Sequence, residues 1–327
     1  MNTVPAYAEI NRFAHALTNW PQQYDQITPG RFDGKLQDVS TGSVRLFRET
    51  MNQSVAQHTC TPANTISLLI PLMERPQCED ARGFAADAIT LLPYQSDFFF
   101  VGPRHTDYLV IALDTQQLQQ QLCPVDYHTL QSQQQSQRII GSRHDLPALR
   151  QTTTHWLNTL IALNTGRAGD LVDDLIDDQL VKQQKHIEHQ LISLTCELFG
   201  HHTDSGNVHW QPLPGRYRQL VKDCHDLALS PEGSSATLLE LSQWLNVPQR
   251  TLRYSFEKAA GVSPNQYLRA AKLNAARREI IQSDLPIGSV AANQGFYHGG
   301  YFGQQYKAMF GETPRQTRQR RRGISAV

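Results

Sequence analysis

Residues Gly295 to Pro314 read GFYHGGYFGQQYKAMFGETP, a glycine turn, a short amphipathic segment, and a second glycine stop followed by Thr313-Pro314. Phe302, Tyr306 and Phe310 fall at i, i+4 and i+8, which predicts one buried stripe on a helix. His298, Gln304 and Lys307 then lie off that stripe. A helix anchored on one face with hydrogen-bonding side chains on the other is what reading the DNA major groove requires.

A matching unit stands about fifty residues upstream, at Leu238 to Phe256. Thr237 followed by Glu240 is a capping box, so a helix is expected to begin at Leu238. Leu238, Leu241 and Leu245 give it a core face, and Asn246 closes it. Pro248 marks the start of a second helix, anchored by Leu252 and Phe256, with Gln249, Arg250, Arg253 and Tyr254 on or near its free face. Two short helices joined by a tight turn, the second one basic, make a helix-turn-helix.

Between the units, Ser263, Pro264 and Gln266 supply an N-cap, an N1 proline and a capping glutamine, and no further proline follows until Pro286. The predicted linker helix runs to about Gln282, so at ~1.5 Å per residue it is roughly 28 Å long. Successive major-groove faces of one DNA turn lie ~34 Å apart. One chain is therefore expected to seat two recognition helices in adjacent grooves.

Leu238 to Arg318 resembles the C-terminal DNA-binding domain of the AraC/XylS family of bacterial transcription regulators. The resemblance rests on the two helix-turn-helices, on S-P-N-Q-Y-L-R-A-A-K-L-N-A-A-R-R from Ser263, and on the G-F…Y-F…Y-K…F-G-E-T-P pattern. It implies that Arg250, Arg253 and Tyr254, with Gln249 beside them, read bases in the first unit. In the second unit the matching positions are Gly299, Gly300 and Gln304, flanked by His298, with Lys307 further along the helix. Two of these are glycines, which favours close approach of backbone N–H groups to a phosphate over base readout there. The first unit is thus expected to carry most of the specificity. The resemblance also implies a double-stranded operator and RNA polymerase as partners, and a separate sensing or dimerising domain.

The charge distribution agrees with this division. The 327-residue chain carries 30 basic and 30 acidic residues, but from Pro214 onward there are 16 basic against 8 acidic, leaving 14 against 22 before it. A basic region joined to an acidic one is the footprint of a nucleic-acid reader attached to another domain. Arg315, Arg318, Arg320, Arg321 and Arg322 extend the positive charge into a tail, either solvated or in contact with phosphates.

The expected fold is α+β. Residues 1–202 form an N-terminal sensing or dimerisation domain, 203–215 a polar Gly- and Pro-containing linker, and 216–327 the all-helical DNA-binding domain. Within the first, strand signals dominate from Phe32 to Asp114, including alternation in G-S-V-R-L-F-R-E and apolar runs in T-I-S-L-L-I-P-L and Y-L-V-I-A-L-D. They predict a small sandwich or barrel, and the family resemblance implies a cupin-like barrel. Helices follow over about 147–200, with a stripe including Ile187, Leu191, Leu194 and Leu198 that packs either on its own domain or on a second subunit. A homodimer is the expectation.

A ligand site inside the barrel is expected among His58, Cys60, Phe98, Phe100, His105 and Tyr108. Two functions stand: a ligand-responsive activator of a catabolic or adaptive operon, and a DNA-binding regulator whose N-terminal domain only dimerises or binds a protein. Catalysis is not expected, because phosphate-loop, nucleophile-elbow and zincin motifs are absent from the sequence. Neither a cofactor nor a metal is expected; His186 and His189, three apart on a helix, read as exposed histidines. Five scattered cysteines, Cys60, Cys78, Cys123, Cys196 and Cys224, with no signal peptide or long apolar run, predict a reduced cytoplasmic protein without membrane contact.

Overall fold

The strand signals in the N-terminal half resolve into two open antiparallel sheets facing each other. The computed structural model describes residues 4–73, 88–132, 137–140, 146–167, 174–200, 209–212 and 215–324. The chain begins with β1 (Ala6–Tyr7), α1 (Ile10–Ala16), β2 (Gln22–Gln26), β3 (Gly34–Ser40), β4 (Val44–Met51) and β5 (Val55–Cys60). It continues through β6 (Thr65–Pro71), β7 (Ile89–Leu91), β8 (Asp97–Val101) and β9 (Thr106–Asp114). After α2 (Thr115–Gln119) and α3 (Pro124–Gln131) come β10 (Gln137–Ile140), α4 (Leu146–Arg167), α5 (Asp174–Gly200) and β11 (His209–Pro212).

One sheet has eight strands in the order β1-β3-β4-β9-β6-β7-β10-β11; the other has three, β2-β5-β8. The expected barrel is therefore replaced by a sandwich of two unequal sheets. The larger sheet is covered on both faces, which explains why its strands read as continuous apolar runs. Leu46, Leu68, Ile70, Leu109, Ile111 and Leu113 pack one face against the helices. Phe47, Leu69, Tyr108, Val110 and Ala112 point the other way, into a core shared with Tyr24, Val55 and Phe100 of the small sheet.

The α5 stripe settles on its own sheet: Ile187, Leu191, Leu194 and Leu198 are buried in the same core as Leu157 and Leu160 of α4. Those side chains are accordingly committed within the chain. Of the expected linker, residues 203–208 and 213–214 lie outside the described residues, as does Cys78, while His209–Pro212 pairs as β11 with β10. Cys60, Cys123, Cys196 and Cys224 are free thiols.

The C-terminal region is helical: α6 (Arg216–Leu229), α7 (Leu238–Trp244), α8 (Gln249–Ala260), α9 (Pro264–Gln282), α10 (Ile287–Asn293), α11 (Gly299–Phe310) and α12 (Pro314–Ile324). Both capping boxes form, Thr237 with Glu240 and Ser263 with Gln266. The linker helix has the 19 residues read from its caps. The arginine tail is not a free extension. Thr313 and Gln316 exchange capping bonds that start α12, where Arg320 pairs with Glu312 and Arg321 with Asp284. Among the described residues, no helix is long and apolar enough to cross a membrane.

The small sheet lies between the two halves of the molecule. Its outer face, with Ala56, Phe99 and Val101, joins the core of the helical domain, where it meets Val221, Phe256 and Tyr267. The layers thus run from α4 and α5 through the large sheet and the small sheet to the C-terminal helices.

Candidate nucleic-acid interface and the contact behind it

The two reading helices are set by buried stripes and glycine-dependent turns. In α8, Leu252, Phe256, Ala259 and Ala260 are buried, which leaves Arg250, Arg253 and Tyr254 exposed and Gln249 half-buried. Tyr254 is 45% exposed, yet one side of its ring is held edge-on by Tyr217 of α6, with centroids 5.2 Å apart. In α11, Phe302, Tyr306, Met309 and Phe310 are buried. His298, Gly299, Gly300, Gln304 and Lys307 are exposed. Both helices therefore present the residues expected from the sequence on their solvent faces.

The turn entering α11 depends on Gly295. Its φ of +78° lies in the left-handed region, and an added Cβ would sit 2.6 Å from the Ser234 carbonyl oxygen. The turn therefore packs against the loop before α7, bringing the two units together. Between them lies an open groove of about 650 Å³ lined by Arg269, Lys272, His298 and Tyr301, among others. The Arg269 guanidinium lies 5.9 Å from the centre of the Tyr301 ring. Gly299 and Gly300 differ from Gly295: nothing lies within 4 Å of a Cβ built on either. Their lack of a side chain is not required by packing inside the chain.

The linker helix is held from behind by the N-terminal domain. Asn274 of α9 accepts from Gln26 N at 3.0 Å and donates to Gln26 O at 2.8 Å. Gln26 donates through Nε2 to Met309 O at 2.8 Å, and Gly30 N donates to the same carbonyl at 3.0 Å. One turn after Asn274, Arg278 pairs with the buried Asp25 of β2. Arg277 bridges Glu9, 3.1 Å away, and Glu312, 2.7 Å away, with its guanidinium 4.6 Å from the Phe310 ring centre. Thus β2 grips the helix that spaces the two reading units and also the end of α11.

β2 carries no strand signal in the sequence, because QQYDQ contains only one large apolar residue. Its Asp25 and Gln26 are nonetheless fully buried, each matched by a polar group from α9 or α11. Such matching depends on residues about 250 positions away and has no local signature.

Of the expected ligand site, the structure brings together Phe98, Phe100 and Tyr108. They line a cavity of about 20 Å³ between the sheets, together with Trp20, Tyr24 and Gln57. That is room for about one water molecule. His58 and Cys60 are corrected to the opposite face by strand alternation: Gln57 and Thr59 point inward, so His58 faces the helical domain. His105 is also corrected: it sits exposed in the turn between β8 and β9, at a φ of 57°.

Sequence reading missed the most unusual group between the sheets, Glu49. It is fully buried and accepts from the hydroxyls of Tyr24, at 2.9 Å, and Tyr108. Burial pushes its carboxyl up to about 7, against the opposing effect of the two tyrosine hydrogen bonds. Its Oε1 and the nearby Gln57 Nε2 are buried without hydrogen-bond partners. The available signal was a carboxylate sharing the parity of Phe47 and Met51 in β4.

On the outer face of the small sheet, His58 and His225 of α6 stack with ring centroids 4.4 Å apart. Burial lowers both against the pull of Asp25 and Asp226; the neighbouring His225 helps bring His58 to about 4, and the Arg278 and Lys222 charges add to the lowering of His225. Both are therefore neutral imidazoles at pH 7.

Residues 241–320 match a protein-family profile described as a helix-turn-helix domain. One relative is the HTH-type transcriptional regulator ArgR of Pseudomonas aeruginosa, 36% identical over 27% of this chain and 26% of that protein. The XylDLEGF operon transcriptional activator 3 of Pseudomonas putida is 35% identical over 27% of this chain and 28% of its own. A crystal structure of a transcriptional regulator with an AraC-type DNA-binding domain from Chromobacterium violaceum covers 33% of this chain and 96% of that one, at 24% identity and a TM-score of 0.31. The matches span about a quarter of the length of the curated relatives. The C-terminal region is a double helix-turn-helix domain. It is similar to the AraC/XylS type of DNA-binding domain.

Proposed function

We propose that this protein is a DNA-binding transcription regulator that places α8 and α11 in adjacent major grooves of its operator. The observation carrying this reading is the pair of helices whose apolar stripes are buried while Arg250, Arg253, Tyr254, Gln304 and Lys307 stay exposed. In this reading residues 216–327 contact DNA, residues 1–202 regulate, and α8 supplies most base readout. Activation of a catabolic or adaptive operon, contact with RNA polymerase and homodimerisation complete the reading by analogy with regulators of this type.

The regulatory input is a small molecule entering the space between the sheets. The unpartnered Glu49 Oε1 and Gln57 Nε2 support it, since buried polar atoms without partners are costly and are expected to be satisfied by a ligand or water. The second reading, a domain that only dimerises or binds a protein, is favoured by the 20 Å³ cavity, which admits a larger molecule only if the sheets separate. Sequencing of genomic fragments bound by the purified full chain tests the first claim; recovery of no shared sequence would remove it. A thermal-shift panel of metabolites separates the two inputs, because a ligand specific to the folded state raises its melting temperature.

A further inference from the structure

We propose that His58 of β5, with His225 and Asp226 of α6, forms a binding site for a divalent transition-metal ion that ties the N-terminal sheet to the DNA-binding domain. One ligand atom from each residue lies within 4.8 Å of the other two. His58 Nε2 is buried and has no hydrogen-bond partner. His225 is oriented by the Tyr267 hydroxyl, 3.2 Å from Nδ1, which leaves Nε2 as its ligand atom. A histidine fixed through its second nitrogen is the usual arrangement around a bound metal.

The chemistry of the set suits zinc and its first-row neighbours. Two neutral imidazoles and one carboxylate supply three protein ligands, and a water completes a tetrahedron. Bonds of ~2.0–2.1 Å put tetrahedral ligand atoms ~3.3 Å apart, so loading draws the three residues closer together. Because His58 belongs to the sheet and the other two to α6, that contraction tightens the domain contact. The helix α6 also carries Tyr217, which packs on Tyr254 of the first reading helix.

The site has an entry path and a local competitor for the ion. An open cleft of about 300 Å³, lined by His58, Cys60, Asp97 and Lys222, among others, reaches it from solvent. Lys222 Nζ donates to Asp226 Oδ2 at 2.7 Å, while Arg278 neutralises Asp25, whose Oδ2 lies 3.6 Å from His225 Nε2. Metal binding therefore displaces the Lys222 ammonium from its carboxylate. A substitution that removes this competing charge should strengthen the site, which a merely structural cluster would not show.

Zinc is the probe. The metal-free full chain is titrated with Zn²⁺ against a chromophoric chelator, and its melting temperature is read with and without the ion. One ion per chain is expected, with affinity at least tenfold weaker in Asp226→Asn and His58→Gln and several-fold tighter in Lys222→Gln. Asp226 is exposed, so its isosteric variant keeps a folded control if His58→Gln unfolds. The double variant His186→Ala with His189→Ala should bind as the parent does. Absence of zinc binding by the parent overturns the proposal, as does unchanged affinity in Asp226→Asn. Loss of binding in the His186/His189 variant, or in Cys60→Ser with Asp226→Asn unaffected, places the ion elsewhere and also overturns it.

Discussion

Asn274 in the middle of the linker helix exchanges two hydrogen bonds with the main chain of Gln26, at 3.0 and 2.8 Å, as an adjacent strand would. The helix between the two helix-turn-helix units is thereby joined to the edge strand of the small N-terminal sheet. The ion pairs of Asp25 with Arg278 and of Glu9 with Arg277 stand beside this pair on the same helix.

Replacing Asn274 with Ala removes both partners from the Gln26 main chain while the site is 1% exposed. Each buried group left unpaired costs about 1–3 kcal/mol, so the domain contact should weaken by a few kcal/mol. Urea unfolding of Asn274→Ala is expected to separate into two transitions, with the helical domain retaining DNA affinity. A single transition at the parent midpoint would show that the pair contributes nothing.

Arg253→Ala should lower affinity for the operator by about 1–3 kcal/mol and leave affinity for scrambled DNA nearly unchanged. Gel-shift titrations on both duplexes check this. An equal loss on the two would reduce Arg253 to a phosphate contact.

Gly300→Ala separates folding from recognition. The site has open space for a Cβ and lies in α11, so the variant should be as stable as the parent or more stable, by up to about 1 kcal/mol. If the helix start approaches a phosphate closely, the same variant binds all DNA sequences more weakly. Gly295→Ala makes the contrast, since its positive φ and the Ser234 carbonyl predict a loss of about 1–3 kcal/mol in thermal or urea unfolding.

Glu49 predicts a pH dependence of stability. Its folded-state carboxyl is raised to about 7 from an ordinary 4.5, so the folded state holds the proton more tightly. The associated stability is fully present below about 4.5 and lost as pH rises through 7, amounting to roughly 3 kcal/mol at about 1.4 per pH unit. Glu49→Gln keeps an acceptor for Tyr24 and Tyr108 but carries no charge. Its stability relative to the parent should rise between pH 5 and pH 8; a constant difference across that range would contradict the assignment.

The amino-acid sequence by itself determined the capped helices of the first unit, the linker helix and the helix of Phe302, Tyr306 and Phe310 in the C-terminal region. Its caps, turns and i, i+4 stripes are local: Thr237 meets Glu240, Ser263 meets Gln266, and Phe302 lines up with Tyr306 and Phe310 through helix geometry alone. The same locality made the apolar strands of the large sheet legible. Tertiary structure alone decided that the strands form two open sheets, that the α5 stripe is buried on its own sheet, and that Arg320 and Arg321 are paired on a helix. It also decided which face each side chain of β5 uses, moving His58 out of the sandwich and into the contact with α6. The β2 strand is the clearest case. Its burial of Asp25 and Gln26 is compensated by Asn274, Arg278 and Met309, partners hundreds of residues distant, and a polar strand of that kind leaves no periodicity from which it can be read.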